Sequence, residues 1–319
     1  MMLWKRLATN PHLAMTLASL IFGANYVVGR AMVGEVPPFL LGFTRWAAAA
    51  VILLPFAWAS VRRDWPLVRR SAGLLALAGL LMPFLGAGLG YYALTKTIAV
   101  NAGIVQTSLP IFTVLLAWLV LHERATGRQA VGVAVAVIGV IAIVVRGEPS
   151  KLLDLQLNTG DLILVLCNVA LAGYSIAVKR LPPELGAMTV LIAVFAIGAA
   201  CHAPFMLAEL AAGDVVQPTA NAVFGLLFVA VFPSVVAITC WNRGIVALGV
   251  NRAGFYMYLV PVFAAVLAAA TLGERIEGYH LVGGALIVAG VTLCTRKPTA
   301  ANAVAAKPGI RPSRSRGTD

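Results

Sequence analysis

The sequence predicts an all-α membrane protein of ten transmembrane helices, arranged as two inverted five-helix repeats. Three observations lead there: the apolar content, the placement of the basic residues, and an internal repeat. Of 319 residues 61% are hydrophobic and only 11% charged, with a mean hydropathy of +0.92. A soluble chain is nearer half apolar and a quarter charged. The excess is too large for a buried core and calls for a lipid solvent. A β-barrel would show alternating segments of roughly 10 residues, whereas this chain has continuous apolar runs near the roughly 20 residues that a spanning helix needs.

The runs place helices at about 13–33, 39–59, 72–93, 101–121, 128–146, 161–180, 187–208, 222–243, 252–272 and 279–296. Linkers between them collect Pro, Gly and charge, as in Val-Pro-Pro at 36–38, Arg-Arg-Asp-Trp-Pro at 62–66 and Arg-Leu-Pro-Pro-Glu at 180–184. Residues 298–319 carry Pro, Ser, Ala and Arg with no apolar period, and read as a disordered basic tail. Lys5 and Arg6 before an apolar run mimic a signal peptide. Cleavage would move the positive tail outside, so the run reads as an uncleaved first helix.

The net charge of +12 could suggest a nucleic-acid partner, but its placement in short loops and the tail is the footprint of membrane topology. With a cytoplasmic N-terminus, 18 Lys and Arg residues fall inside and five outside (Arg30, Lys96, Arg146, Lys151 and Arg275), leaving Arg45 within a helix. That asymmetry sets both termini in the cytoplasm of an inner-membrane protein and requires an even number of spans.

Shifting the chain by 151 residues lays residues 102–140 on 253–291 with 16 of 39 positions identical, among them Pro110/Pro261, Phe112/Phe263, Glu123/Glu274, Gly132/Gly283 and Gly139/Gly290. Apolar bias alone cannot align Pro, Glu-Arg and several Gly in one register. Upstream, at an offset of 149, Arg30 meets Lys179 and Pro55 meets Pro204. The division is residues 1–150 and 151–297. Five spans per half is an odd number, so the second copy enters the membrane from the opposite side.

All twelve acidic residues fall in loops, at helix ends or in the tail, leaving no carboxylate at mid-membrane depth. His202, just before Ala203-Pro204, is the candidate proton relay, against the ordinary reading of a His beside a Pro-bent backbone. Arg45, followed by Trp46, could meet a substrate carboxylate or could snorkel to the head groups. Asn25 and Tyr26 lie mid-depth in the first helix. Tyr91, Tyr92, Gln106, Thr107 and Ser108 lie in the outer half of the third and fourth. Tyr174 and Asn168 lie in the sixth, and Trp241, Asn242, Tyr256 and Tyr258 in the inner half of the eighth and ninth. An amide or phenol in hydrocarbon needs a hydrogen-bond partner, so these face a wet cavity or another helix. Trp241 also suits an interface belt, and Tyr256 and Tyr258 also suit packing.

Gly79, Gly86, Gly88 and Gly90 with Pro83 let the third helix pack closely or bend. Cys167, Cys201, Cys240 and Cys294 lie in apolar stretches without C-x-x-C pairing and read as small hydrophobic filler. No Walker loop, zinc spacing or nucleophile elbow is present, which argues against an enzyme and against a metal or other cofactor.

The chain resembles the EamA family of the drug/metabolite transporter superfamily. The likeness is carried by Phe-Gly-Ala-Asn-Tyr-Val-Val-Gly-Arg at 22–30, Arg45, Pro-Ile-Phe at 110–112 and Pro-Val-Phe at 261–263, each last segment followed by a Glu and a glycine-spaced helix. It spans roughly residues 13–296. The resemblance implies ten helices around a central cavity, with short fifth and tenth helices at the periphery. It also implies a secondary transporter working by alternating access, here read as an exporter of a small metabolite such as an amino acid. The binding candidates are Asn25, Tyr26, Arg45, Trp46, Tyr91, Tyr92, Gln106, Ser108, Tyr174, Trp241, Tyr256 and Tyr258. A multidrug exporter of the same fold is the alternative. A non-transporting scaffold or intramembrane enzyme is the alternative of another class, which the repeat opposes. Facilitated diffusion and proton antiport stay open. The expected partners are a small-molecule substrate and the lipid bilayer, with no nucleic acid, in a monomer or weak homodimer.

Overall fold

A computed structural model describes residues 10–295 apart from Val33, 98–104, Thr107, Arg124, 146–147, Pro149, 151–158, 217–218 and 273–276. The disordered-tail expectation for 298–319 and the Glu274 mate of Glu123 lie outside the described residues. Among the described residues ten helical segments follow one another: α1 (Pro11–Ala31), α2 (Pro38–Arg70), α3 (Ala72–Leu94), α4 (Leu109–Leu121), α5 (Gly127–Val144), α6 (Thr159–Arg180), α7 (Ala187–Ala211), α8 (Ala220–Leu248), α9 (250–272) and α10 (Gly278–Thr295). No strand occurs among the described residues. Eight of these helices, all but α1 and the 13-residue α4, are long and apolar enough to cross a membrane by length and composition.

The surface has the polarity of a chain dissolved in lipid. Phe56 is 82% exposed, Phe224 72% and Leu281 68%, with many other large apolar side chains turned outward. A water-soluble monomer seldom shows continuous apolar surface on this scale. Inside, Trp46, Phe195, Tyr174, Trp241, Tyr256 and Met15 form one cluster shared by most of the helices. α5 and α10 build a separate layer with α9 from Ala136, Val140, Phe255, Tyr258, Ile287 and Cys294.

The most extensive packing is between α5 and α10 and between α2 and α7; then come α3 with α6 and α1 with α8, followed by α1 with α9 and α3 with α7. Small residues permit the first. A Cβ on Gly132 would stand 2.8 Å from the Gly290 carbonyl, and one on Gly139 would stand 2.6 Å from that of Gly283. Only glycine lets these backbones meet.

Prolines shape three helices. α3 widens into π turns over Leu80–Gly88 around Pro83, and α8 does so over Ala230–Ala237 around Pro233. α9 tightens to a 3₁₀ turn at Tyr256–Leu259 just before Pro261. Proline lacks the N–H that an α turn uses, and the backbone adjusts locally.

One element differs from the sequence reading. The stretch at 62–66 was expected to be a linker, yet α2 runs unbroken to Arg70 with Pro55 and Pro66 inside it. Thirty-three residues make a rod of roughly 50 Å, against about 30 Å of hydrocarbon. Such a rod is longer than the apolar layer, and Arg62, Arg63, Arg69 and Arg70 of its last turns are exposed. Tertiary contacts explain the extension. Asp64 Oδ2 accepts hydrogen bonds from Gly186 N at 3.0 Å and Thr189 Oγ1 at 2.8 Å, closing the start of α7. At the other end of the same pair, Glu209 near the end of α7 accepts from Phe39 N at 3.0 Å and Leu40 N at 2.8 Å, closing the start of α2. The first N–H groups of a helix have no partner within it, and carboxylates are their best acceptors. The two antiparallel helices cap each other.

Candidate functional site

Arg45 is the best-defined polar centre. It sits two turns into α2, 4% exposed. Its Nε donates to Ser234 Oγ of α8 at 2.7 Å and a terminal nitrogen donates to Tyr91 Oη of α3 at 2.6 Å. The guanidinium carbon lies 4.3 Å from the centroid of the Trp46 ring. Trp46 in turn donates from Nε1 to the Pro83 carbonyl at 3.2 Å. A carbonyl oxygen has two lone pairs, so this one can take the indole N–H beside a helical bond. Ser234 follows Pro233 and donates to the Val229 carbonyl at 2.6 Å, so the second π stretch aims its hydroxyl at Arg45. Among the described residues no carboxylate pairs with Arg45; an ion pair elsewhere on α2 joins Arg63 to Asp64, at 3.0 Å. A guanidinium this deep with only neutral partners is costly unless an anion visits it.

His202 of α7 stands beside this centre. It is fully buried, its Nδ1 bonds the Gly198 carbonyl at 2.7 Å, and its Nε2 has no partner. The ring fills a notch made by two glycines: a Cβ on Gly42 would come within 2.3 Å of it, and one on Gly88 within 2.0 Å. Phe84 meets it edge-on at 5.1 Å between ring centroids. Tyr92 stacks on Phe39 at 5.8 Å, near the start of α2.

The remaining candidates lie elsewhere. Tyr256 bonds His12 through its hydroxyl at 2.5 Å, while its carbonyl accepts from Ser19 at 2.8 Å. Tyr174 donates to Asn242 Oδ1 at 2.8 Å, and Trp241 meets Phe22 edge-on at 6.4 Å. These residues tie α1, α6, α8 and α9 together on the side of the molecule where α1 begins and α8 ends. Ser108 accepts from Asn168 Nδ2 at 3.0 Å, and the same amide donates to the Val105 carbonyl at 2.9 Å; Gln106 is half-buried alongside. Asn25 keeps a buried carbonyl oxygen without a partner. Tyr258 belongs to the α5–α9–α10 layer, away from Arg45. The side chain of Tyr26 and all of Thr107 lie outside the described residues.

The structure thus brings Arg45, Trp46, Tyr91 and His202 into one group and spreads the others over separate interhelical contacts. Ser234, His12 and the Gly42–Gly88 notch were missed by sequence reasoning. A serine directly after a proline in an apolar run was the available signal for Ser234; Gly88 reads as a close-packing glycine, but nothing in the sequence pairs it with Gly42 around His202. Among the described residues no His, Cys, Asp or Glu cluster could hold a metal. A surface groove of about 530 Å³ between α1 and α8 is lined by Val28, Phe224, Leu227, Phe228 and Phe232. It holds none of the polar group and suits an acyl chain better than a polar solute.

Apolar helices and a lipid-facing surface define a polytopic membrane protein. The profile of the EamA-like transporter family matches residues 10–145 and again 158–296, and the chain belongs to that family. It is a transporter rather than an enzyme. A Bacillus subtilis protein named "Uncharacterized transporter YetK" is 26% identical over 281 residues, 88% of this chain and 85% of that protein. The Escherichia coli K12 protein named "Uncharacterized inner membrane transporter YedA" is 27% identical over 86% of this chain and 87% of its own. A Streptantibioticus cattleyicolor protein named "Probable terminal-alkyne amino-acid exporter" is 31% identical over 63% of this chain and 66% of its own. A crystal structure superposes with a TM-score of 0.72 over 90% of this chain and 96% of that one at 20% identity, a likeness of fold.

Proposed function

We propose that the chain is a secondary transporter of the inner membrane that exports a small carboxylate-bearing metabolite such as an amino acid. It works by alternating access between two inverted five-helix repeats, residues 1–150 and 151–297, with both termini cytoplasmic. The observation that carries the substrate class is Arg45, buried, stacked on Trp46 and hydrogen-bonded to the neutral Tyr91 and Ser234 hydroxyls. A carboxylate takes the fork of a guanidinium in two parallel hydrogen bonds and neutralises it. The double match of the family profile supports the repeat, as does the pairing of α1 with α9 and of α4 with α6. The relative named as an amino-acid exporter supports the solute class. A multidrug exporter of lipophilic cations fits less well, because a buried arginine repels its cargo.

The test is counterflow in proteoliposomes with a panel of radiolabelled amino acids and their methyl esters. The acid is carried and the ester is not. Arg45→Gln lowers the rate about 10–100-fold, since a charged hydrogen-bonding group is worth roughly 1.5–3 kcal/mol. Equal transport of acid and ester by the wild type would remove the carboxylate from the reading.

A further inference from the structure

We propose that His202 Nε2 is a proton-binding site whose occupancy opens the contact between α7 and the α2–α3 pair. This goes beyond the transport reading and does not require that Arg45 hold a carboxylate.

A carbonyl oxygen only accepts, so the bond from His202 to Gly198 fixes the hydrogen on Nδ1 and leaves Nε2 as a bare lone pair. That lone pair is buried and unpartnered in a chain where most buried polar atoms are satisfied. It points at glycine backbone on two helices. The walls are Gly42 and Phe39 of α2 and Gly88 and Phe84 of α3, so a proton arriving at Nε2 finds no acceptor.

The surrounding charges are equally unhelpful. On α2 the charged neighbour is Arg45, one turn from Gly42 and of the same sign a protonated imidazole would carry. On α3 the titratable groups are Tyr91, already bonded to Arg45, and Tyr92, stacked on Phe39 with the Lys96 ammonium 5.8 Å above its ring. α8 contributes the neutral Ser234. On α7 itself Cys201 precedes His202 in the chain, and Glu209 is occupied by the N–H groups of Phe39 and Leu40. Protonated His202 and the closed notch therefore exclude one another. Water reaches Nε2 only when the two glycines part from α7, and the proton is then a ligand of the opened form alone. A ligand that binds one of two conformations shifts the balance toward it. An imidazole in this position is a device for drawing on a proton gradient without a mid-membrane carboxylate.

The test uses the full chain in lipid nanodiscs with ¹⁵N-histidine, the proton itself being the probe. Spin labels sit at exposed Leu94 on α3 and Leu210 on α7, both at the end of the bundle nearer the notch. Between about pH 8 and pH 5, the range that brackets an ordinary imidazole titration, the His202 signal changes from the Nδ1–H tautomer to the doubly protonated ring. The label distance lengthens by several ångströms over the same range. In His202→Phe, which fills the notch without a proton site, the distance is independent of pH. Three outcomes overturn the proposal: a ring that stays neutral to pH 5, a ring that titrates without any change of distance, or the same change of distance in His202→Phe. Should that variant fail to fold, the wild-type titration alone decides, because ring and distance either move together or do not.

Discussion

Positions about 150 residues apart allow one half of the molecule to be compared with the other, and at those positions several backbone features recur while the chemistry differs. Pro83 and Pro233 both sit in π-widened stretches. Ser19 of α1 donates to the carbonyl of Tyr256, and Asn168 of α6 donates to the carbonyl of Val105; each donor and each acceptor is the counterpart of the other by offset. Trp46 touches its own counterpart Phe195, with ring centroids 5.1 Å apart. Yet the counterpart of Arg45 is Val194, that of His202 is Leu53, and those of Tyr91 and Ser234 are Trp241 and Phe84. The comparison teaches that the repeated features are those that set helix path and approach. The polar group around Arg45 has no like set of residues at the counterpart positions.

The largest effect expected from this comparison is all-or-none. If the halves are inverted, reporters fused after Glu148 and after Gly213 both register outside; a cytoplasmic signal from either breaks the comparison altogether. Next comes Val194→Arg, which writes the charge into the second half. Val194 is fully buried within the apolar cluster. An unpaired buried charge costs several kcal/mol, so the variant fails to accumulate in membranes, whereas Val194→Ile accumulates normally.

Smaller effects sharpen the likeness of the two backbones. Gly139→Ala and Gly283→Ala each force a methyl to within 2.7 Å of the facing carbonyl, and both lower the detergent-solubilised Tm. The cost is about 1–3 kcal/mol as for other overpacked sites, while Gly90→Ala, with nothing within 4 Å, leaves the Tm unchanged. Smallest and nearly equal are Asp64→Asn and Glu209→Gln, each weakening a helix cap by about 0.5–2 kcal/mol. Markedly unequal losses would show that one end of the α2–α7 pair matters more than the other.

Much of this was legible in the chain itself. The ten apolar runs coincide with the ten helical segments to within a few residues at most ends, because a lipid solvent forces both length and composition. Arg45 stood out because an ionised residue inside an apolar run is rare. The long end of α2 was not legible: Arg-Arg-Asp-Trp-Pro looks like a linker until Asp64 is seen to serve another helix 122 residues away. The group around Arg45 was only partly legible, since Ser234 reaches it through a proline-widened turn and His202 through glycines on two other helices. Spacing along one helix shows neither. Tyr258 looked like its neighbour Tyr256, but the 3₁₀ turn between them turns the two rings toward different layers.

The mutual capping of α2 and α7 also bears on how the chain is made. The N–H groups of Phe39 and Leu40 wait for a carboxylate encoded some 170 residues later. Until α7 is synthesised, the start of α2 must borrow water or head groups, and the first five helices inserted alone lack a partner that they were built to receive. Completion of assembly is thereby tied to arrival of the second half. A ribosome-stalled chain ending before α7 should remain open to proteases at its second helix, and the full-length chain should not.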